Sequence, residues 1–136
     1  MCADGEVEDA RHYMCQCLNV FNGQVRKAWY LKVKEKLRGI SMKLWEVFTD
    51  TVVLKNGMLA DGEGQGVDGL LTAWDATSGR IPILWTKTAA EEGIDDEEYK
   101  KFLRWYGERI RNDLWRPMWV VRSREMASME KNDDVS

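Results

Sequence analysis

Four side chains that could bind a metal lie near the start of the chain: Cys2, His12, Cys15 and Cys17. Thiolate and imidazole groups are the usual ligands of Zn²⁺, and four of them complete a tetrahedral site. The spacing of Cys15 and Cys17 is tight for such a site, and free cysteines commonly serve as small buried apolar residues. We therefore predict no metal ligand, while the zinc alternative stays open.

The glycine-rich segment 64–69 matches the GxGxxG pattern of dinucleotide-binding proteins. That motif requires a strand before it and a helix after it, whereas "LLTAW" (residues 70–74) reads as extended. The same loop also resembles a calcium loop that starts at Asp61. Its twelfth position is Thr72, where a bidentate glutamate is needed. We predict no cofactor.

Catalytic constellations are not evident in the sequence. The chain has one histidine, and no Ser/His/Asp or Cys/His arrangement can be assigned. Seven tryptophans are many for 136 residues, and tryptophan serves well as a stacking platform or an interface anchor. The sequence therefore predicts a binding protein and no enzyme.

Length and composition indicate one globular domain, residues 1–136, with frayed ends at 1–10 and 126–136. No apolar run approaches the roughly 20 residues of a membrane span. The acidic N-terminus does not resemble a signal peptide, and three cysteines do not suggest a secreted disulfide framework. We expect a soluble cytoplasmic protein with no membrane partner.

Charge is strongly segregated along the chain, although the net charge is only −3. Residues 23–45 carry seven Lys/Arg against one Glu, and residues 100–124 carry eight against two acids. Residues 56–99 carry ten acids against two bases. Each basic block could bind an anionic partner, or could face solvent and pair with the acidic segment.

Hydrophobic periodicity predicts several strands. Asn22-Gly23 is a hairpin signal, and residues 29–37 alternate apolar side chains with lysines. A helix competes there because apolar residues also recur every four positions from Val25 to Leu37, but the strand is favoured. "LLTAW" and "RIPILWT" read as a strand pair, "MWVVRS" as a last strand, and "KNGMLADGEGQGVDG" as an irregular loop.

Two segments predict helices. Ser41 is a candidate N-cap for a helix that runs to about Leu54, and acidic residues crowd the first turn of a second helix in "DDEEYKKFLRWYGERIRNDL". "VEDARHYMCQC" could form a short helix. The predicted order is strand, helix, two strands, helix, strand. This order indicates an α+β fold, a curved antiparallel sheet with helices packed on one face.

The segment from about Phe21 to Ser123 resembles the eukaryotic translation initiation factor 4E family, which binds the messenger-RNA cap. "NGQVRKAW" is similar to the family's "NGGRW" strand, and Leu44-Trp45 to its helical Phe-Trp pair. "VDGLL" is similar to a strand start of the family and "SGRIPILWTKT" to its "GDKIAIWTT". "FLRWYGERIR" and "WVVRSRE" correspond to the last helix and strand.

The resemblance implies a site for capped mRNA or a methylated guanine nucleotide. Trp85 would lie against the methyl group, Arg80 and Lys27 would meet the cap phosphates, and Glu8 would accept from the guanine N–H edge. A methylated guanine is a delocalised cation that stacks on indole faces, and guanidinium groups hold phosphates. DNA is not an expected partner.

The chain also departs from the family, because no tryptophan precedes Trp29 to sandwich the base and Asp75 lies near the position of a phosphate-binding arginine. It would be a truncated or a divergent member. We therefore predict a cap-binding protein of translation initiation or its regulation. The alternatives are a scaffold or regulatory protein of the same fold that does not bind cap, and a general single-stranded RNA binder.

Family members also bind a helical peptide of a scaffold protein through a helix on the back of the molecule. The equivalent stripe here is formed by Leu44, Val47 and Thr51, which lie three and four residues apart. The competing interpretation places this stripe in the core.

Overall fold

The computed structural model describes residues 12–16 and 20–124 of the chain. In these ranges, a π-helical turn is followed by α-helices and one antiparallel strand pair, and a second π-helix lies near the end. The turn is His12–Gln16, and the elements are α1 (Val20–Ile40), α2 (Met42–Thr51), β1 (Val52–Lys55), β2 (Met58–Asp61), α3 (Ala73–Thr77), α4 (Ile83–Glu91) and α5 (Asp96–Arg109). The prediction of a mixture of helices and antiparallel strands is confirmed, and helix predominates.

The long helix α1 replaces the first predicted strand. Trp29, Val33 and Leu37 are all buried, and they lie four residues apart on one face of the helix. The alternating lysines that suggested a strand lie between these positions. Residues 29–37 fit the two-residue period of a strand and the four-residue spacing of a helix. The helix formed because it buries the residues spaced by four.

Helix α2 confirms the first predicted helix and its N-cap. The backbone N–H of Leu44 donates to Ser41 Oγ at 3.3 Å, which satisfies one of the free donors of the first turn. The helix ends at Thr51, three residues earlier than expected, because Val52 adopts an extended backbone and starts β1.

The strand pair is a hairpin, whereas the sequence predicts an irregular loop over most of these residues. Val52 pairs with Asp61 and Lys55 with Met58. Asn56 and Gly57 form the turn with φ angles of 52° and 81°, the left-handed geometry that tight hairpins require. The prediction of a hairpin at residues 22–23 is wrong, since that dipeptide lies in the first turn of α1.

The expected strand pair at residues 70–74 and 80–86 is also wrong. Thr72 Oγ1 accepts from the backbone N–H of Asp75 and caps the short helix α3. Pro82, with φ −59°, precedes the first residue of α4. A capping threonine and a proline with its fixed φ favour helix starts, and these signals outweighed the apolar character of the two segments.

Helix α5 confirms the second predicted helix, but the strand expected at the end of the chain is wrong. After α5 the chain continues as a π-helix, Ile110–Trp115, and as helical residues 116–124. The backbone N–H of Arg116 donates to the carbonyl of Arg111, five residues back. Pro117 lacks an N–H and crowds the preceding turn, and the wider π-turn provides room for its ring.

Aromatic side chains fill the centre of the molecule. Trp29 and Trp85 both contact Phe48 and Tyr106, with ring centroids 5.3–6.2 Å apart. This cluster joins α1, α2, α4 and α5. In the described part of the chain most of the core therefore lies between helices, and the one hairpin adds Val52 and Leu59 to it. Among the helices of this part, none combines the length and the apolar character needed to cross a membrane.

Candidate binding surfaces

The residue expected to contact a methylated guanine lies in the core. Trp85 is 2% exposed, and its ring packs against Phe48 and Tyr106 at centroid distances of 5.7 and 5.3 Å. Its indole Nε1–H donates to Thr51 Oγ1 at 3.1 Å. In this arrangement, both the ring and its polar group already have protein partners.

The other expected cap contacts are not joined to Trp85. Arg80 is exposed, and its Nη1 lies 3.3 Å from Asp75 Oδ1. Lys27 is exposed on α1. No hydrogen bond, ion pair or ring contact links these three residues within the described part of the chain. Glu8 lies outside the described residues.

The stripe expected to bind a helical peptide belongs to the core. Leu44, Val47 and Thr51 are 2%, 7% and 0% exposed. The Oγ1 of Thr51 donates to the carbonyl of Val47 at 2.9 Å and accepts from Trp85. The competing interpretation is therefore confirmed, because α2 turns this face toward α1 and α4 and leaves no free surface along it.

The possible zinc set lies partly outside the described residues. Cys2 and Cys17 lie outside the described residues. Cys15 is buried, and its Sγ lies 3.6 Å from Thr77 Oγ1. Among the described residues, no group of three or more His, Cys, Asp or Glu could hold a metal ion.

A groove of about 890 Å³ opens on the surface between α1 and α5. We call it the α1–α5 groove; its lining residues are Leu31, Lys32, Glu35, Lys36, Gly39 and Ile40 from α1, and Glu98 and Trp105 from α5. A smaller pocket of about 160 Å³ continues it past Ile40 to Lys101 and Phe102. The groove combines apolar side chains with charged ones, a composition typical of recognition sites.

Trp105 forms the aromatic part of this groove. Its ring stacks on Phe102 with centroids 6.1 Å apart and planes inclined by 29°, and the Nζ of Lys36 lies 5.5 Å from its centroid. Leu31 on the facing helix is 50% exposed. At Gly39, an added Cβ would find no atom within 4 Å. The α1 side of the groove is therefore open at this position.

Charged residues frame the groove unevenly. At one end the Nζ of Lys32 lies 2.8 Å from Asp113 Oδ2, an ion pair that ties α1 to the turn after α5. The remaining charged residues of the groove and its continuation form no ion pair within the described part of the chain: Glu35, Lys36, Glu98 and Lys101. These four charges are available to a bound partner.

The groove was not predicted from the sequence, although two of its residues carry a signal that points to it. The sequence predicts a strand at residues 29–37, in which Leu31 cannot be distinguished from the core residues. On a helix, Leu31 falls outside the buried positions Trp29, Val33 and Leu37. Trp105 similarly lies outside the apolar face of α5. A large apolar residue beside the core stripe of a helix is the signal for such a surface.

Three tyrosines have raised pKa values because burial disfavours the phenolate. Tyr106 is fully buried and donates to the carbonyl of Ala76 at 2.7 Å. Tyr30 donates to the carbonyl of Val52 at 3.1 Å, and burial raises its pKa. Burial raises the pKa of Tyr99, and a hydrogen bond with Thr86 opposes that shift. These hydroxyls therefore stay protonated at neutral pH.

A buried arginine was also missed. Arg26 is 0% exposed. Its Nε donates to the carbonyl of Met14 at 2.7 Å and its Nη1 to the carbonyl of Gly57 at 3.0 Å. The side chain therefore joins α1 to the π-helical turn and to the tip of the hairpin, which is a structural role.

Comparison of the chain with models of protein families, with curated proteins and with solved structures finds no match.

Proposed function

We propose that the protein is a non-enzymatic binding module that holds a helical segment of a partner protein in the α1–α5 groove. The observation that carries this proposal is the open groove of about 890 Å³, which is lined by Trp105 and the half-exposed Leu31. Large exposed apolar side chains in a cavity favour a ligand that brings apolar surface of its own.

The dimensions of the groove favour a short helix. Its α1 wall runs from Leu31 to Ile40, about 14 Å at the rise of an α-helix. An amphipathic helix in such a groove places apolar side chains three and four residues apart on the floor. Leu31, Ile40 and Trp105 supply the matching apolar contacts.

The charges favour a partner that carries both signs. Lys36 and Lys101 attract acidic side chains, and Glu35 and Glu98 attract basic ones. Such charges at the rim contribute more to orientation and selectivity than to affinity. The expected partner is therefore an amphipathic helix whose apolar stripe is flanked by acidic and basic residues. This keeps the class of partner expected from the sequence and moves its site from α2 to the groove.

Peptide selection tests the proposal. A library of amphipathic helical peptides is selected on the native protein, and the binders are measured against variants. We expect Gly39→Leu to abolish binding, because its side chain would project into the groove. Gly107→Leu is the matched control, since an added Cβ at this α5 glycine also meets nothing within 4 Å and Gly107 does not line the groove. Equal binding to both variants would reject the proposal.

A second variant probes the apolar wall. Leu31→Glu changes a half-exposed residue, so the fold should tolerate it. We expect it to weaken the selected peptides by at least tenfold. If both Gly39→Leu and Leu31→Glu bind the peptides as the native protein does, the groove is not the binding site.

Recognition of a methylated guanine nucleotide, in translation initiation or its regulation, is a second proposal. This proposal would require the curved sheet of the family, and the described residues contain one hairpin of sheet. The exposed guanidinium of Arg80 supports a phosphate contact, whereas a stacked base would require Trp85 to leave Thr51. A fluorescence titration with methylated and unmethylated guanosine triphosphate tests it. A larger response to the methylated form supports it, and equal responses contradict it.

A further inference from the structure

We infer that a second face of α1 binds the phosphate backbone of a single-stranded nucleic acid. This face, which we call the basic stripe, is formed by Lys27, Lys34 and Arg38. It differs from the groove face of the same helix and goes beyond the proposed function.

Helix geometry brings the three cations into one row. Lys34 and Arg38 follow Lys27 by seven and eleven residues, both close to whole numbers of helical turns. Their positions along the axis are separated by about 10 Å and about 6 Å. The buried residues Trp29, Val33 and Leu37 are centred about 120° away around the helix, at 100° per residue. The stripe is therefore a linear array of positive charge in which Lys27 and Arg38 are exposed and Lys34 is partly buried.

In the described part of the chain, no carboxylate neutralises the cations of the stripe, whereas three other surface lysines are paired. Lys32, Lys43 and Lys100 each lie within 4.0 Å of a carboxylate oxygen. Within the described part of the chain, no such pair involves any residue of the basic stripe. The one acid of α1, Glu35, lines the groove. In a protein of net charge −3, unpaired cations gathered on one face indicate an anionic partner.

The aromatic neighbours favour a single strand over a duplex. The Nζ of Lys34 lies 5.2 Å from the centroid of Tyr30 and 5.3 Å from that of Trp45. When a phosphate draws Lys34 outward, the half-buried ring of Trp45 becomes available to a base. Bases of a single strand can stack on such a ring, whereas those of a duplex are already stacked on each other.

The experiment measures anisotropy of a labelled single-stranded RNA on the full chain over a series of salt concentrations. Three phosphate contacts predict a slope of log K against log salt of about −2, at roughly −0.7 per contact. We expect Lys27→Glu/Arg38→Glu to lower the magnitude of this slope to about 0.7, since one contact remains. Lys27→Gln/Arg38→Gln repeats the test without adding acidic residues to the helix, and circular dichroism checks the fold of each variant.

The matched control is Lys55→Glu/Lys87→Glu, which changes the net charge equally at two exposed lysines outside α1. We expect its slope to equal that of the native protein. Trp45→Leu should weaken single-strand binding several-fold at constant slope. Single-stranded DNA of the same sequence shows whether the sugar contributes, and binding of either strand type supports the inference.

Four results would overturn it. The first two are no RNA binding at low salt and a salt slope that falls equally in the Lys55/Lys87 control. The other two are duplex RNA that binds as tightly as single strands, and binding of anionic lipid vesicles without binding of RNA. The groove variant Gly39→Leu should leave RNA binding unchanged, so failure of this inference and failure of the proposed function can be distinguished.

Discussion

One hydrogen bond joins Trp85 to Thr51 across the core, where the indole Nε1–H donates to the threonine Oγ1 at 3.1 Å. The same hydroxyl donates to the carbonyl of Val47 at 2.9 Å, so helix α4 is tied to the last turn of α2. The sequence resemblance assigned the two residues to opposite surfaces, one to a cap and one to a partner helix. The structure gives them one shared structural role.

This bond predicts the effect of Thr51→Val. The change keeps the shape of the side chain and leaves the indole N–H of Trp85 buried without an acceptor, which should lower the free energy of unfolding by about 1–3 kcal/mol. Urea denaturation measures it. Thr49→Val in the same helix is the control, and because its hydrogen bond is exposed, we expect a change within about 0.5 kcal/mol. Equal losses at both sites would contradict the role of the bond.

The buried Arg26 predicts a larger loss. Arg26→Met keeps an apolar side chain of similar length and removes the donors to the carbonyls of Met14 and Gly57. We expect the free energy of unfolding to fall by about 2–4 kcal/mol, because both oxygens lose a charged donor. The adjacent Lys27 is exposed, and Lys27→Met should change stability by less than about 0.5 kcal/mol. If the two variants have the same denaturation midpoint, Arg26 does not anchor the hairpin.

Alkaline pH should destabilise the fold through Tyr106. Burial raises the pKa of its hydroxyl above the usual value of 10.0. The unfolded chain therefore releases this proton at lower pH than the folded protein. The stability contributed by the neutral hydroxyl is complete below about pH 10, and is lost above it at up to about 1.4 kcal/mol per pH unit. Denaturation midpoints between neutral pH and pH 11 measure the slope, and Tyr106→Phe should reduce it. An unchanged slope would mean that other groups cause the loss.

Two glycines should respond to alanine in opposite directions. Gly57 has φ +81°, and an added Cβ would approach the Cα of Gly23 at 3.3 Å. Gly57→Ala should therefore cost about 1–2 kcal/mol. Gly107 lies within α5 with open space around it, and Gly107→Ala should add about 0.5–1 kcal/mol because alanine loses less backbone entropy. Thermal melting of both variants shows whether each melting temperature rises or falls. If both melting temperatures shift in the same direction, this account is wrong.

The two Asn-Gly pairs show how far local sequence could predict the fold. Both pairs favour a tight turn, but only Asn56-Gly57 has short apolar strands on both sides. The pair at residues 22–23 is followed by Trp29 and Val33 at a helical spacing, and it lies inside helix α1. A two-residue turn signal becomes a hairpin only where the flanking chain can form a ladder.

The candidate binding surfaces depended even more on tertiary packing. Trp85 and Arg80 were chosen from one apolar segment. Whether such a tryptophan stacks on a ligand or on Phe48 is decided by which helices approach it, and residues far apart in sequence determine that approach. The α1–α5 groove likewise arises because Leu31 and Trp105, on two distant helices, face one gap.

The sequence by itself determined the features that depend on neighbouring residues: the Ser41 N-cap of α2, the acidic start of α5, and the excess of positive charge along residues 23–45. These follow from backbone donors, helix dipoles and charge counts, which act within a turn or two of the chain. Only the tertiary structure decided which face of α1 meets the core, which tryptophans are buried and where a groove remains open. The physical reason is that apolar burial has no direction of its own, so segments that fit both a strand and a helix take the form that the assembled core covers best.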